Sequence, residues 1–113
     1  MGSVRETLEE QRRRARERVA ALERDLAGLA EAASAAGTDD EHDPEGATIA
    51  FERARVGALL DQARGHLSDI DAAVRRIDEG RYDVCERCGG RIGAERLAAR
   101  AVARTCITCA RAR

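Results

Sequence analysis

The chain has 113 residues and a formal net charge of −1, and 23 of its hydrophobic residues are alanine. With one phenylalanine, one tyrosine and no tryptophan, it lacks the large side chains of an ordinary globular core, so we expect a metal, disulfides or a partner to support the fold. The balanced charge argues against bulk electrostatic binding of nucleic acid. No apolar run reaches the length of about 18 residues that a membrane span requires, which predicts a cytoplasmic protein with no membrane partner.

The first predicted element is a helix from about Ser3 to Ala36. Mostly apolar residues recur there every three or four positions, which is the spacing of one helix face. This face comprises Val4, Leu8, Gln11, Ala15, Val19, Leu22, Leu26, Leu29 and Ala33. Gly37 is the expected end, because glycine adopts the left-handed conformation that terminates many helices.

A second helix is predicted from Pro44 or Ala47 to Glu79. Its apolar seam keeps the alternating spacing of a heptad repeat and comprises Ile49, Val56, Leu60, Ala63, Leu67, Ile70, Val74 and Ile77. Asp43 and Pro44 suit the N-cap and N1 positions, and Gly80 suits the position just after the helix.

The two helices are similar in length, about 33 residues or roughly 50 Å each, and a short loop joins them. This combination predicts an antiparallel hairpin in which each seam buries the other. The alternative is that both helices pair with those of another chain.

The predicted tip loop, residues 37–46, is acidic. Its carboxylates and His42 form the run Asp39, Asp40, Glu41, His42, Asp43 and Glu45, followed by Ala47. The plain interpretation is a solvated turn before an acidic helix N-terminus. The alternative is an acidic group presented to a partner at the end of the hairpin.

All four cysteines lie near the C-terminus, as Cys85-x2-Cys88 and Cys106-x2-Cys109. Two such pairs at this separation are typical of a tetrahedral zinc site, and four thiolates leave no open position for a substrate. We therefore predict one structural Zn²⁺, with redox chemistry as the weaker alternative. Gly89 and Gly90 would allow the sharp turn after the first pair. A small apolar patch is expected from Ile92, Leu97, Val102 and Ile107.

These features predict an all-α-dominated fold of two parts. Residues 1–80 form the hairpin, and residues 81–113 form a four-cysteine zinc finger whose folding depends on the metal. An enzyme is not expected, because there is no open metal position, no phosphate-binding loop and no nucleophile near either histidine.

The finger carries more arginines than acidic residues: Arg81, Arg87, Arg91, Arg96, Arg100, Arg104, Arg111 and Arg113 against Asp83, Glu86 and Glu95. An alternative function is therefore a nucleic-acid-binding zinc ribbon, with the hairpin as a spacer or dimerisation rod. No aromatic side chains that would stack on bases accompany the arginines.

The stretch Tyr82–Cys109 resembles the zinc finger of the DksA/TraR family of bacterial transcription regulators. The shared residues are Tyr82, Cys85, Cys88, Gly89, Ile92, Arg96, Leu97, Ala99, Cys106 and Cys109. The preceding hairpin looks like the coiled coil of that family in length and placement.

The resemblance implies a monomer that binds RNA polymerase, core or holoenzyme, without sequence-specific DNA binding. In similar proteins the coiled coil enters the secondary channel of the polymerase, acidic tip residues approach the catalytic Mg²⁺ region, and initiation changes, sometimes together with ppGpp. This resemblance favours the functional interpretation of the acidic loop.

The chain also departs from the family. The family tip reads Asp-x-x-Asp-x-Ala, and counting back from Cys85 aligns His42, Glu45 and Ala47 with its three defined positions. Asp83 stands at a usual glycine and Ala101 at a usual proline. The C-terminal helix of longer members is not expected, because only four residues follow Cys109.

Overall fold

The computed structural model describes residues 3–35 and 44–112. Four helices occupy these ranges: α1 (Val4–Ala35), α2 (Pro44–Asp78), α3 (Ala94–Ala99) and α4 (Ile107–Arg111). Within the described residues the only β pairing is an isolated bridge between Val84 and Arg91, so the all-α-dominated fold is confirmed. None of the described helices is long and apolar enough to cross a membrane.

The ends of the long helices follow local sequence signals. Ser3 caps α1, because its hydroxyl accepts a hydrogen bond from the N–H of Glu6 at 3.0 Å. After α2, Gly80 has a φ of 72°, and the N–H groups of Gly80 and Arg81 donate to the carbonyls of Ile77 and Arg76. This is a Schellman motif, as the position of the glycine predicts. The predicted stop at Gly37 and N-cap at Asp43 lie outside the described residues.

The chain divides into two compact units, and α1 and α2 contribute to both. One unit is Arg14–His66, where Leu22, Val56, Leu60 and Ala63 form a buried cluster. Partly buried residues complete its packing: Val19, Leu26, Leu29 and Leu59. The two helices therefore bury each other's seams within this unit, as the heptad spacing predicts.

The other unit joins Met1–Arg13 to Leu67–Arg113. Here Arg5 pairs with Asp78, and Arg12 lies 3.4 Å from Asp71. A step of seven residues forward in α1 thus matches seven residues backward in α2, which confirms an antiparallel hairpin. Leu8 and Ile70 are completely buried. Val4 is an exception to the predicted face, because it is 49% exposed at the start of α1.

Candidate metal centre

The first cysteine pair lies in a tight turn that backbone hydrogen bonds close on both sides. The N–H of Cys85 donates to the carbonyl of Gly90 at 2.8 Å, and the N–H of Gly89 donates back to the carbonyl of Cys85 at 2.9 Å. Gly89 has a φ of 75°, a conformation that is costly for residues with a Cβ. The turn therefore directs Cys85 and Cys88 toward one point, which explains the glycine after the pair.

The second cysteine pair lies at the start of α4. Cys106 is its N-cap residue, and its sulfur accepts a hydrogen bond from the N–H of Cys109 at 3.5 Å. The carbonyl of Cys106 accepts from Ala110 at 2.9 Å, which begins the helix. One helical turn therefore places the two sulfurs on the same side.

The two pairs meet in one cluster, in which all four sulfur atoms lie within 4.8 Å of one another. The sulfurs of Cys88 and Cys106 are 3.9 Å apart, far longer than a disulfide bond of about 2.05 Å. Thiolates about 2.3 Å from a tetrahedral zinc ion would lie about 3.8 Å from each other. The donor set and its spacing therefore fit one structural Zn²⁺.

The thiol pKa values agree with a site for a dication. Backbone N–H groups, mainly those of Cys106 and Cys88, lower the pKa of Cys85 to about 6. The N–H of Cys109 likewise lowers the pKa of Cys106. The neighbouring thiol of Cys106 and burial together raise the pKa of Cys109 to about 12. Without a cation the cluster thus favours some thiolates but resists the last deprotonation, and a bound Zn²⁺ removes that resistance.

A small apolar core lies beside the thiols. Cys85, Ile92 and Ala103 are buried together, and Leu97 packs against them. The expectation that Ile107 belongs to this patch is wrong, because Ile107 is 47% exposed. Since Ile107 begins α4 directly after a ligand, orienting the Cys106 and Cys109 sulfurs inward leaves its own side chain on the outer surface.

The two departures from the family pattern in the finger both take part in hydrogen bonds, Asp83 through its side chain and Ala101 through its main-chain carbonyl. Asp83 accepts a hydrogen bond from the N–H of Gly93 at 2.9 Å and pairs with Arg91 at 3.0 Å. The Gly93 N–H is the main reason that the pKa of Asp83 lies below its ordinary value. The carbonyl of Ala101 accepts the hydroxyl of Tyr82 at 2.7 Å, a bond that requires no proline ring at this position.

Most arginines of the finger bind its own backbone or a neighbouring carboxylate. Arg87 donates to the carbonyl of Cys109 at 3.3 Å, and Arg96 donates to that of Thr105 at 2.8 Å. Arg104 reaches Asp69 of α2 at 3.4 Å. These three arginines and Arg100 also line a surface cavity of about 400 Å³. Most of the arginines in the finger therefore stabilise the protein itself through hydrogen bonds and ion pairs.

The residues of the predicted tip divide between described and undescribed parts of the chain. Glu45 and Ala47 lie at the start of α2 with exposed side chains. The remaining tip residues, Asp39, Asp40, Glu41, His42 and Asp43, lie outside the described residues.

Sequence analysis did not identify one buried residue of the unit that contains the finger. Arg76 of α2 is only 4% exposed, and its guanidinium donates to the carbonyl of Ala103 at 2.8 Å. The adjacent Arg75 is exposed. Nothing in the sequence pattern distinguishes the two arginines, because Arg75 adjoins the seam residue Val74 just as Arg76 adjoins the seam residue Ile77.

Comparisons with known proteins cover both parts of the chain. The family model of the prokaryotic DksA/TraR C4-type zinc finger matches residues 80–113. A Caulobacter vibrioides protein named RNA polymerase-binding transcription factor DksA is 34% identical over 95 residues, which cover 84% of this chain and 59% of that protein. The uncharacterized protein YteA of Bacillus subtilis is 39% identical over 66 residues, 58% of this chain and 28% of its own length.

The fold has a counterpart among solved structures. Transcription factor DksA2 from Pseudomonas aeruginosa matches with a TM-score of 0.77 and 26% identity, covering 95% of this chain and 77% of that one. The chain spans less than two thirds of the length of the curated relatives above.

The fold and the thiol cluster define a helical-hairpin protein with a C4-type zinc finger. The finger match assigns residues 80–113 to the DksA/TraR C4-type zinc fingers, and the DksA relative and the DksA2 structure support the same family for the chain. The predicted structural Zn²⁺ is confirmed by the family of the finger and by the cluster of four cysteines.

Proposed function

We propose that the protein is a transcription regulator that binds RNA polymerase directly and inserts its hairpin tip into the secondary channel to modulate initiation. The observation that carries this proposal is the similarity to the Caulobacter DksA over 84% of the chain. The similarity therefore includes the hairpin as well as the finger. The name of that relative describes an RNA polymerase-binding transcription factor. In the proposed role this protein is a cytoplasmic monomer and not an enzyme.

In this proposal the parts of the chain have separate roles. The cysteines Cys85, Cys88, Cys106 and Cys109 hold the structural metal, and the finger orients the hairpin on the polymerase. The tip residues approach the polymerase active site: Asp39, Asp40, Glu41, His42, Asp43, Glu45 and Ala47. In the same proposal the chain divides at residue 80, with the hairpin before it and the finger after it.

The contacts of the finger support this function over a nucleic-acid-binding zinc ribbon. Arg87, Arg96 and Arg104 spend at least one donor group on the protein itself, and Arg91 pairs with Asp83. Arginines that bind phosphates need those donors for the ligand. The ribbon function predicts salt-sensitive binding of DNA or RNA. An electrophoretic shift of a random duplex at low salt would support it.

The test has two steps, binding and transcription. Wild-type protein is expected to co-migrate with core RNA polymerase and to change initiation in a purified transcription assay. We include ppGpp in one arm, since the resemblance implies it for some family members. Wild-type protein that neither binds core polymerase nor changes initiation would contradict the proposal.

A tip variant separates docking from the action of the tip. Asp43→Asn/Glu45→Gln should retain polymerase binding and lose the effect on initiation. The matched control is Glu31→Gln/Asp61→Asn, which removes the same charge from exposed helix positions and should behave as wild type. If the tip variant keeps its full transcriptional effect, the acidic loop is a solvated turn with no role in transcription.

A further inference from the structure

Arg76 is a buried cation at the junction of α2 with the finger. Its side chain is 4% exposed, and its Nη2 donates to the carbonyl of Ala103 at 2.8 Å. Its Nη1 lies 3.8 Å from a carboxylate oxygen of Glu86. Neither Nε nor Nη1 has a hydrogen-bond partner among the described residues. Burial therefore replaces the water around the guanidinium with one carbonyl and one distant carboxylate. This desolvation is costly for a charged group.

The direction of the Arg76 pKa agrees with this cost. Burial is the main cause that lowers its pKa from the ordinary value, and the nearby charges of Arg104 and Arg81 add to that effect. Glu86 acts in the opposite direction. The Ala103 carbonyl and the Glu86 carboxylate are therefore the partners that offset this cost.

The two partners of Arg76 belong to the two arms of the finger that the metal joins. Glu86 follows the ligand Cys85 in the first cysteine turn. Ala103 lies three residues before the ligand Cys106 and is buried with Cys85. One direct bond already links these arms, since the N–H of Glu86 donates to the carbonyl of Arg104 at 2.9 Å. The four thiols and Arg76 therefore both connect the same two segments.

We propose that Arg76 is a positioning residue for the metal centre, which holds both arms of the finger against α2 and couples metal binding to the packing of the last two turns of that helix. Closing the arms around Zn²⁺ supplies the partners of the buried guanidinium. By reciprocity the guanidinium then favours the closed, metal-binding arrangement. When the metal leaves and the arms separate, the cation loses its partners, and the end of α2 opens to return it to water. This inference rests on the zinc site alone and does not depend on the polymerase function.

Arg76→Met tests the coupling, because methionine keeps an unbranched apolar side chain and removes the charge. Metal affinity is measured on the full chain by Co²⁺ titration, followed through the Co²⁺–thiolate absorption, and then by Zn²⁺ competition. We expect binding about 10- to 100-fold weaker than in wild type, the usual effect of losing a residue that supports metal ligands. The matched control is Arg75→Met, which removes the same charge from the exposed neighbour and should bind as wild type.

A second measurement separates positioning from simple packing. Amide hydrogen exchange of residues 70–79 is compared with and without metal. In the metal-free protein Arg76→Met should protect these amides at least as well as wild type, because it buries no unpaired charge. The change in protection caused by metal should therefore shrink in Arg76→Met and stay unchanged in Arg75→Met.

Two results would overturn the proposal. Metal affinity of Arg76→Met equal to that of Arg75→Met would show that the guanidinium does not support the site. Loss of protection of residues 70–79 in the metal-free variant would show that Arg76 only packs α2. If Arg76→Met does not fold, Arg76→Lys carries the test. Lysine keeps the charge but lacks the forked donors that reach both arms, so unchanged affinity in Arg76→Lys would refute the coupling.

Discussion

Removal of the metal should unfold the finger and leave the helical pair of the Arg14–His66 unit folded. Within the described residues 81–112 the finger buries only Cys85, Ile92 and Ala103, and one of these is a metal ligand. Structural zinc supplies about 10 kcal/mol or more to such modules, so its loss leaves too little apolar burial to order the segment. The Arg14–His66 unit has its own buried cluster from both long helices and needs no metal.

The expected loss of helix follows from the lengths of the elements. Helices α3 and α4 contain 6 and 5 residues, against 32 and 35 in α1 and α2. Unfolding the finger alone should therefore remove about one seventh of the helical circular dichroism. The loss should rise to about one quarter if the last two turns of α2 also open, as the coupling through Arg76 requires.

The assay is a far-ultraviolet circular dichroism titration with a strong chelator under reducing conditions, followed by return of Zn²⁺. Amide exchange then assigns the lost helix to one unit or the other. An unchanged spectrum would show that the finger folds without metal. Loss of more than half of the helical signal would show that the long helices depend on the metal, and the reasoning from separate clusters would be refuted.

Three further predictions concern stability, and thermal and urea unfolding measure each of them. Gly65→Ala should stabilise the protein by about 1 kcal/mol, because a Cβ at this helical position meets nothing within 4 Å. Gly80→Ala should destabilise it by about 1 kcal/mol, because its φ of 72° is unfavourable for a residue with a Cβ. Changes of the same sign in the free energy of unfolding of the two variants would contradict this. Leu60→Ala should lower the free energy of unfolding by about 2–3 kcal/mol, because Leu60 is 3% exposed. The control Leu59→Ala changes a partly buried residue and should cost about half as much. Equal losses of stability in the two variants would argue against the buried cluster. Asp83→Ala should remove the hydrogen bonds that stabilise the first turn of the finger, and should therefore lower its stability and make the metal easier to extract. Unchanged chelator sensitivity would exclude that role.

The hairpin could be predicted closely from local patterns. Apolar spacing identified both helices and most of their buried positions, because one face of a helix repeats at a fixed interval. Gly80 identified the end of α2, since a left-handed residue after a helix strongly favours glycine. Val4 departs from the predicted face because the first turn of a helix has few residues beside it to complete its burial.

The interior of the finger was less predictable. The cysteine spacing identified the metal and its ligand type, because chelation geometry is local to each turn. Hydrophobicity alone selected Ile107 for the small core, but α4 directs its cysteines inward and leaves Ile107 exposed. Ala103 is buried instead, and a small alanine carries no strong signal of burial.

By itself, the sequence determined two long helices that pair, a four-thiolate zinc site and the resemblance to a family, because each depends on the spacing of residues along the chain. Only the tertiary structure decided that Arg76 is buried while Arg75 is exposed. The reason is physical: which arginine meets Ala103 and Glu86 depends on how the last turns of α2 face the finger, and no periodicity within either segment specifies that orientation.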